Sequence, residues 1–447
     1  MEGPYEVIPS AKRLIKSLRD MGYDFSTAVA DLVDNSIEAG ASRVDIVVGF
    51  YGDDSYVRIA DNGRGMTDEE LKEAMRYGSE REYSEEDLGK FGLGLKTASM
   101  SQCQRFSVAS RTKIDMPDIP IFCWDLTHIE KTNKWEILLI RDKDTVDLIS
   151  SPLSKHTGTV VLWEKLDRII NFKQPDGGAA RKKLISMCRE LEVYLGMVFH
   201  KFLAGEVPGK NLDIYLNKNK IQAWDPFARD EPETSKLSPV KVKIVHEGAV
   251  GTIFLQPYIL PTKDEFSSAD AFERSSGPAK WNQQQGFYIY RANRMIQSGG
   301  WCALRTRDEH TKLSRIEINF SPVFDSAFKV NVAKMRVQLP TQAREEIERA
   351  IKAAVSLARE YYDRERKTVS KPQIPTASTP ATPINLIDNP RHTPAGLSDS
   401  MPLKDGLPRM FTFDEIEQKA KELATASERG VISNVFLRLR KKLLGGK

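Results

Sequence analysis

Disulfide and zinc chemistry are poorly served by this chain. Its four cysteines, Cys103, Cys123, Cys188 and Cys302, lie far apart with no CxxC pair, and they read as reduced, mostly buried thiols. Its six histidines show no ligand spacing, which argues against a zinc site. No apolar run approaches the ~20 residues of a membrane span. The opening MEGPYEVIPSAKR lacks the apolar stretch of a secretory signal. Neither sign of charge dominates: 66 Lys and Arg face 62 Asp and Glu, a net +4. That balance is too mild to establish nucleic-acid binding, while leaving room for a local basic face. The expectation is a cytoplasmic protein with no membrane contact.

What is present is enough for a sizeable core. The 447 residues are 40% hydrophobic and 29% charged, which suits two or three soluble domains. Residues 10–21 and 25–39 carry helical periodicity, the second with Ser26 and Gly40 at the expected cap and stop. Segments 44–50 and 56–60 read as strands, and 68–76 as a helix. Residues 77–91 are polar and glycine-bearing, a loop pattern, and a helix follows from about Gly92. Strand-like stretches recur at 105–110, 119–125, 135–140 and 158–164. Helices first and then a run of strands predict an α+β sandwich with helices on one sheet face. A long helix over 179–203 ends at a boundary marked by Gly205 and Pro208. A second strand-rich region, 210–340, closes with a helix over 341–367.

Three runs carry the chemistry. Asp31 and Asn35 sit four apart, hence on one side of a helix. There a carboxylate can activate water, and an amide oxygen can ligate Mg²⁺. The same run also fits the solvated face of an amphipathic helix. Asp61 ends an apolar strand ahead of Asn62, Gly63, Arg64, Gly65 and Met66. A carboxylate there can accept from an adenine amino group. Glycines allow close backbone approach to a flat base, and Met66 offers a polarizable contact. Ordinary turn chemistry explains the run equally well. Gly89, Gly92, Leu93, Gly94, Leu95 and Lys96 form a glycine loop entering a helix, where amides can bind phosphate. It is no P-loop, because Leu95 separates Gly94 from Lys96 and acidic loop precedes it.

Together, in this order, the runs resemble the nucleotide pocket of the GHKL ATPases, the group of gyrase-type topoisomerases, heat-shock ninety chaperones, MutL, MORC proteins and sensor histidine kinases. A fourth element, His156–Leu162, is similar to the family strand whose Thr, here Thr159, supports the adenine-binding carboxylate. The resemblance implies a Bergerat ATP-binding sandwich over 1–205. Asp31 would be the base, Asn35 the Mg²⁺ ligand, and Asp61, Gly63, Gly65, Met66 and Thr159 the base pocket. Gly89, Gly92, Leu93, Gly94, Leu95 and Lys96 would face the phosphates. Here Asp31 stands where the family has Glu, one methylene longer, which puts fast hydrolysis in doubt while binding survives.

Residues 286–296 and 329–337 resemble the ribosomal-protein-like transducer domain of MutL and MORC proteins, expected over 206–367. Lys334 is the candidate for the lysine that reaches a γ-phosphate, although this loop is one residue shorter than in MutL. The whole resembles the MutL/MORC-like ATPases of prokaryotic restriction and defence systems. It implies ATP and Mg²⁺, an ATP-dependent homodimer, a clamp-like change of shape, and work on DNA or a DNA-processing protein partner. A non-hydrolysing ATP-sensing scaffold and a chaperone-like ATPase remain alternatives. A histidine kinase fits poorly, because the pocket begins near residue 25 with no phospho-acceptor helix pair ahead of it. Residues 368–410 have linker composition. The segment 411–447 reads as helical and ends in a basic cluster suited to a protein contact, a DNA-backbone contact or a solvated end.

Overall fold

In a computed structural model of the chain, residues 7–20, 22–78, 94–116, 118–331, 334, 337–368 and 387–388 are described. The expected tail over 411–447 lies outside them, as do Gly89, Gly92, Leu93 and nearly all of the expected linker and loop.

The first half runs α1 (Ala11–Arg19), α2 (Phe25–Glu38), β1 (Arg43–Phe50), β2 (Tyr56–Asp61), α3 (Asp68–Met75), α4 (Gly94–Gln102), β3 (Arg105–Arg111), β4 (Ile121–Asp125), α5 (Leu126–Thr132), β5 (Leu138–Leu139), α6 (Lys143–Ser150), β6 (Gly158–Glu164), α7 (Gly178–Val198) and α8 (His200–Leu203). The second continues with β7 (Asp213–Leu216), β8 (Asn219–Lys220), β9 (Ser235–Lys236), β10 (Val240–His246), β11 (Ala249–Ile259), α9 (Ala269–Ser276), α10 (Lys280–Gln284), β12 (Gly286–Arg291), β13 (Arg294–Ser298), β14 (Ser314–Phe320), α11 (Arg344–Thr368) and β15 (Ile387–Asp388).

The architecture is α+β, as the strand-rich pattern predicts. The first sheet has the order β5-β4-β3-β6-β2-β1-β7-β8, with β15 beside β1. Alternation along its strands sends Val44, Ile46, Val48, Val57, Ile59, Phe106, Val108, Val161 and Trp163 into one core with α1, α2, α4 and α7. The opposite residues, among them Val47, Ala60, Ala109, Val160 and Leu162, pack with Ile149 of α6 and with Leu153. Cover on the second face is a departure from the one-sided expectation. The short segment 143–150 has too few apolar residues to advertise itself.

The first sheet also runs past residue 205. β7 pairs in parallel with β1, Val44 facing Ile214 and Ile46 facing Leu216. The expected strand 135–140 shrinks to Leu138–Leu139. Helix α2 is capped by Asp24, whose side chain accepts from the Thr27 amide, rather than by Ser26.

The second sheet has the order β10-β11-β14-β12-β13, with β9 beside β11. Helix α11 covers one face through Ile347, Ile351 and Val355 against Val242, Ile253, Phe287 and Ile316. Tyr258, Tyr288 and Tyr290 face the other way and join Phe199, Phe202 and Phe227 in the first core. No helix among the described residues is long and apolar enough to cross a membrane.

Candidate functional site

Helix α2 is buried on nearly every side. A helix in that position must find partners for each polar residue it carries, and Asp31, Asp34 and Ser36 each point to a different one. Asp31 lies on the second turn, with Oδ2 accepting from the Tyr23 hydroxyl at 2.8 Å. Its Oδ1 is buried with no hydrogen-bond partner among the described residues. Lys334 Nζ stands 3.6 Å from that atom and Arg294 Nη2 3.8 Å from it. Burial pushes the Asp31 carboxyl up, opposed by the charge of Lys334 and, more weakly, of Arg294. Gly94, the first residue of α4, is so near that a Cβ there would lie 3.7 Å from Asp31 Oδ2. The α4 N-terminus and Asp31 therefore share one end of the site. Asn35, one turn beyond Asp31, is half-buried.

Asp34, fully buried, holds two cations. Lys334 Nζ donates to its Oδ2 at 2.6 Å and Arg294 Nε to its Oδ1 at 2.9 Å. Burial lowers the Arg294 pKa, but the charges of Asp34, Tyr194 and Asp31 outweigh it and leave the group above its usual value. Arg294 is aimed by the β12–β13 hairpin. The turn residues Ala292 and Asn293 both have positive φ, 47° and 67°, as a two-residue hairpin turn requires.

Asp61 closes β2 beside β6. In the antiparallel register Ala60 faces Val160, which brings the Thr159 amide to Asp61 Oδ1 at 3.1 Å. The Gly63 amide donates to the same oxygen at 2.9 Å, and Ser36 Oγ donates to Oδ2 at 3.1 Å. Burial raises the Asp61 pKa against these hydrogen bonds. Thr159 thus supports Asp61 through its backbone, while its hydroxyl lies 2.9 Å from Ser110 Oγ. Ser110 Oγ in turn accepts from the Met66 amide at 2.8 Å, and Met66 packs half-buried against the main core.

Three of the expected ligand-facing residues also make contacts within the fold. Gly63 and Gly65 are required by the fold's own contacts. A Cβ on Gly63 would stand 2.8 Å from Ala39 Cβ, and one on Gly65, at φ 70°, 2.1 Å from the Arg111 carbonyl oxygen. Lys96 lies in the first turn of α4. Its Nζ donates to the carbonyls of Ala74 and Arg76 at 2.9 and 2.7 Å, where it satisfies the C-terminal end of α3. Burial lowers its pKa to about 8. Leu95 is half-buried against the core.

The structure therefore brings Asp31, Gly94 and Lys334 together. It ties Asp61 to Gly63 and Thr159, and α2 links the two groups through Ser36. Asp34, Arg294 and Tyr23 had no role assigned from sequence. Asp34 is three residues from Asp31 and shares its helix face, a signal that was available. Arg294 had none, because its partner lies 260 residues away.

Residues 23–159 match the family model described as histidine kinase-, DNA gyrase B-, and HSP90-like ATPase. The DNA mismatch repair protein MutL of Shewanella oneidensis is 39% identical over 92 residues, 20% of this chain and 14% of that protein. MutL of Shewanella loihica is 38% identical over 93 residues, 20% and 15% of the two chains. The similarity thus spans about one seventh of these relatives' length. The stretch matched by the family model contains Asp31, Asn35, Asp61 and the α4 N-terminus, so the GHKL resemblance holds over residues 23–159.

Proposed function

We propose that the chain binds Mg-ATP at the first sheet and hydrolyses it slowly. Asp61 carries the reading. It is a buried carboxylate at a strand end, fixed by two amides and a hydroxyl. A carboxylate offers about four lone-pair positions, so one acceptor position stays open beside Ser36. An adenine amino group suits that position.

The other residues fit the rest of the nucleotide. The amides of the α4 N-terminus suit phosphate, and Asp31 beside them suits proton abstraction from water. Asn35 would hold Mg²⁺ through its amide oxygen, and the ion would supply charge neutralisation along the phosphates. Lys334 would bind the terminal phosphate, giving the second region a contact with ATP that ADP cannot offer. A ligand shifts a conformational equilibrium by its differential affinity for the two states, and this lysine provides one. The reading extends to an ATP-dependent homodimer acting as a clamp on DNA or on a DNA-processing partner. That extension rests on similarity to part of MutL.

One observation favours a second reading, a non-hydrolysing ATP sensor. Asp31 is short, and Tyr23 already occupies one of its oxygens. Phosphate release above the level of Asp31→Asn supports the enzyme, and equal release supports the sensor. Calorimetry with Mg-ATP tests binding directly: no heat at millimolar nucleotide from the folded chain would remove both. Light scattering with ADP and with a non-hydrolysable analogue tests the clamp, through a dimer formed with the analogue alone.

A further inference from the structure

We infer that Asp34 is a resting partner that competes with a terminal phosphate for Lys334, and that Arg294 is the second cation that lets Asp34 release it. The inference rests on the ATP reading and adds two residues to it.

Asp31, Asp34, Arg294 and Lys334 form a buried set of two anions and two cations. A buried carboxylate stripped of its partner is left with an uncompensated charge, which is strongly unfavourable. Were Lys334 the sole partner of Asp34, it could not leave. Arg294 removes that obstacle. It is fully buried, and its Nε lies 2.9 Å from both oxygens of Asp34. When Lys334 departs, Asp34 keeps a charge-assisted hydrogen bond.

The two cations differ in how they are held. Arg294 begins a strand directly after a two-residue turn. Lys334 lies outside any helix or strand, at φ 49°. A lysine gains nothing from the left-handed region and is held there against a preference of about 1–2 kcal/mol. Such strain accompanies segments that have an alternative state. Arg294 is the fixed partner and Lys334 the exchangeable one.

Exchange also changes the surroundings of Asp31. With Lys334 in place, Asp31 Oδ1 has two cations near it. With Lys334 drawn away, Arg294 Nη2 remains, and that atom too is buried with no hydrogen-bond partner among the described residues. Arg294 is thus a positioning residue that keeps a counter-charge beside Asp31 throughout.

The test is calorimetry on the full chain with Mg-ADP and a non-hydrolysable Mg-ATP analogue. Wild type, Asp34→Asn, Lys334→Met and the double variant are compared. Freed of its competitor, Lys334 in Asp34→Asn should bind the analogue about tenfold more tightly, with ADP affinity unchanged. The gain should vanish on the Lys334→Met background. Equal changes for both nucleotides, or a gain that persists without Lys334, would overturn the inference. A second measurement needs no change at Asp34. In wild type grown with ¹³C-lysine, the Lys334 ε-methylene resonance, assigned by its absence from Lys334→Arg, should move with the analogue and stay with ADP. A resonance unmoved by a bound analogue sinks the exchange alone. Wild type that binds neither nucleotide sinks the ATP reading and the exchange with it.

Discussion

Lys334 Nζ donates to Asp34 Oδ2 across 2.6 Å, joining positions 300 residues apart. Arg294 reaches the same carboxylate from the start of β13. The two should not be equivalent for stability. Arg294→Met removes the fully buried partner and should cost about 3–5 kcal/mol. Lys334→Met removes one charge-assisted hydrogen bond while Arg294 stays, at about 1.5–3 kcal/mol. Urea unfolding at neutral pH would show the order, and equal losses would contradict it.

Asp31→Asn should lower phosphate release by roughly 100-fold or more and leave Mg-ATP affinity within a few-fold. The pH dependence has a defined sign. Burial raises the Asp31 pKa, and a base works only as the carboxylate. Release by wild type should therefore climb as pH rises through that raised value and level off above it. A profile that falls across the same interval would exclude Asp31 as the base.

Asp61→Asn separates binding from stability. Asp61 has a raised folded-state pKa, so the folded protein loses stability as pH rises through it, and above it the charged group is a burden. Removing the charge should weaken ATP binding more than 100-fold, by roughly the ~3 kcal/mol upper end for a hydrogen bond to a charged group. The thermal midpoint at pH 7 should hold or rise. Calorimetry and thermal melts on one preparation check both, and retained binding would be fatal to the assignment.

Lys96 makes a different pH prediction. Its folded pKa is about 8, against 10.5 for a free lysine. Between those values the unfolded chain binds the proton more tightly, so this group adds stability as pH rises. The midpoint of wild type minus that of Lys96→Met should increase from pH 8 to pH 10. A flat difference would mean that the ammonium is not disfavoured by its surroundings.

Gly65→Ala tests how tightly the turn after Asp61 is packed. The position combines φ 70° with a carbonyl oxygen 2.1 Å from the new methyl. The loss should exceed the roughly 1–2 kcal/mol of left-handed backbone alone, read as a lower melting midpoint without nucleotide. An unchanged midpoint would mean that the turn accommodates a side chain there.

Much of the first sheet was legible because its signals are local. Strands 43–50, 56–61 and 158–164 are apolar, β-branched runs, and α2 is apolar enough to be seen. Asp61 stood out as a carboxylate at the end of an apolar strand. What could not be read depends on pairing between distant segments. β7 joins β1 from beyond the expected boundary, and nothing near residue 213 announces a partner at residue 43. Lys96 has the composition of a phosphate ligand, yet α3 offers its last carbonyls first. Arg294 was visible only as one letter in a strand, because its meaning lies in a helix on the other sheet.

The parallel pairing of β7 with β1 has a practical consequence for dissecting the molecule. A fragment cut at residue 205 would strip β1 of a neighbour over Arg43–Ile46 and uncover backbone groups that invite intermolecular sheet growth. A fragment carried to residue 222 keeps that seam closed, while still lacking Arg294 and Lys334, the cations that neutralise buried Asp34.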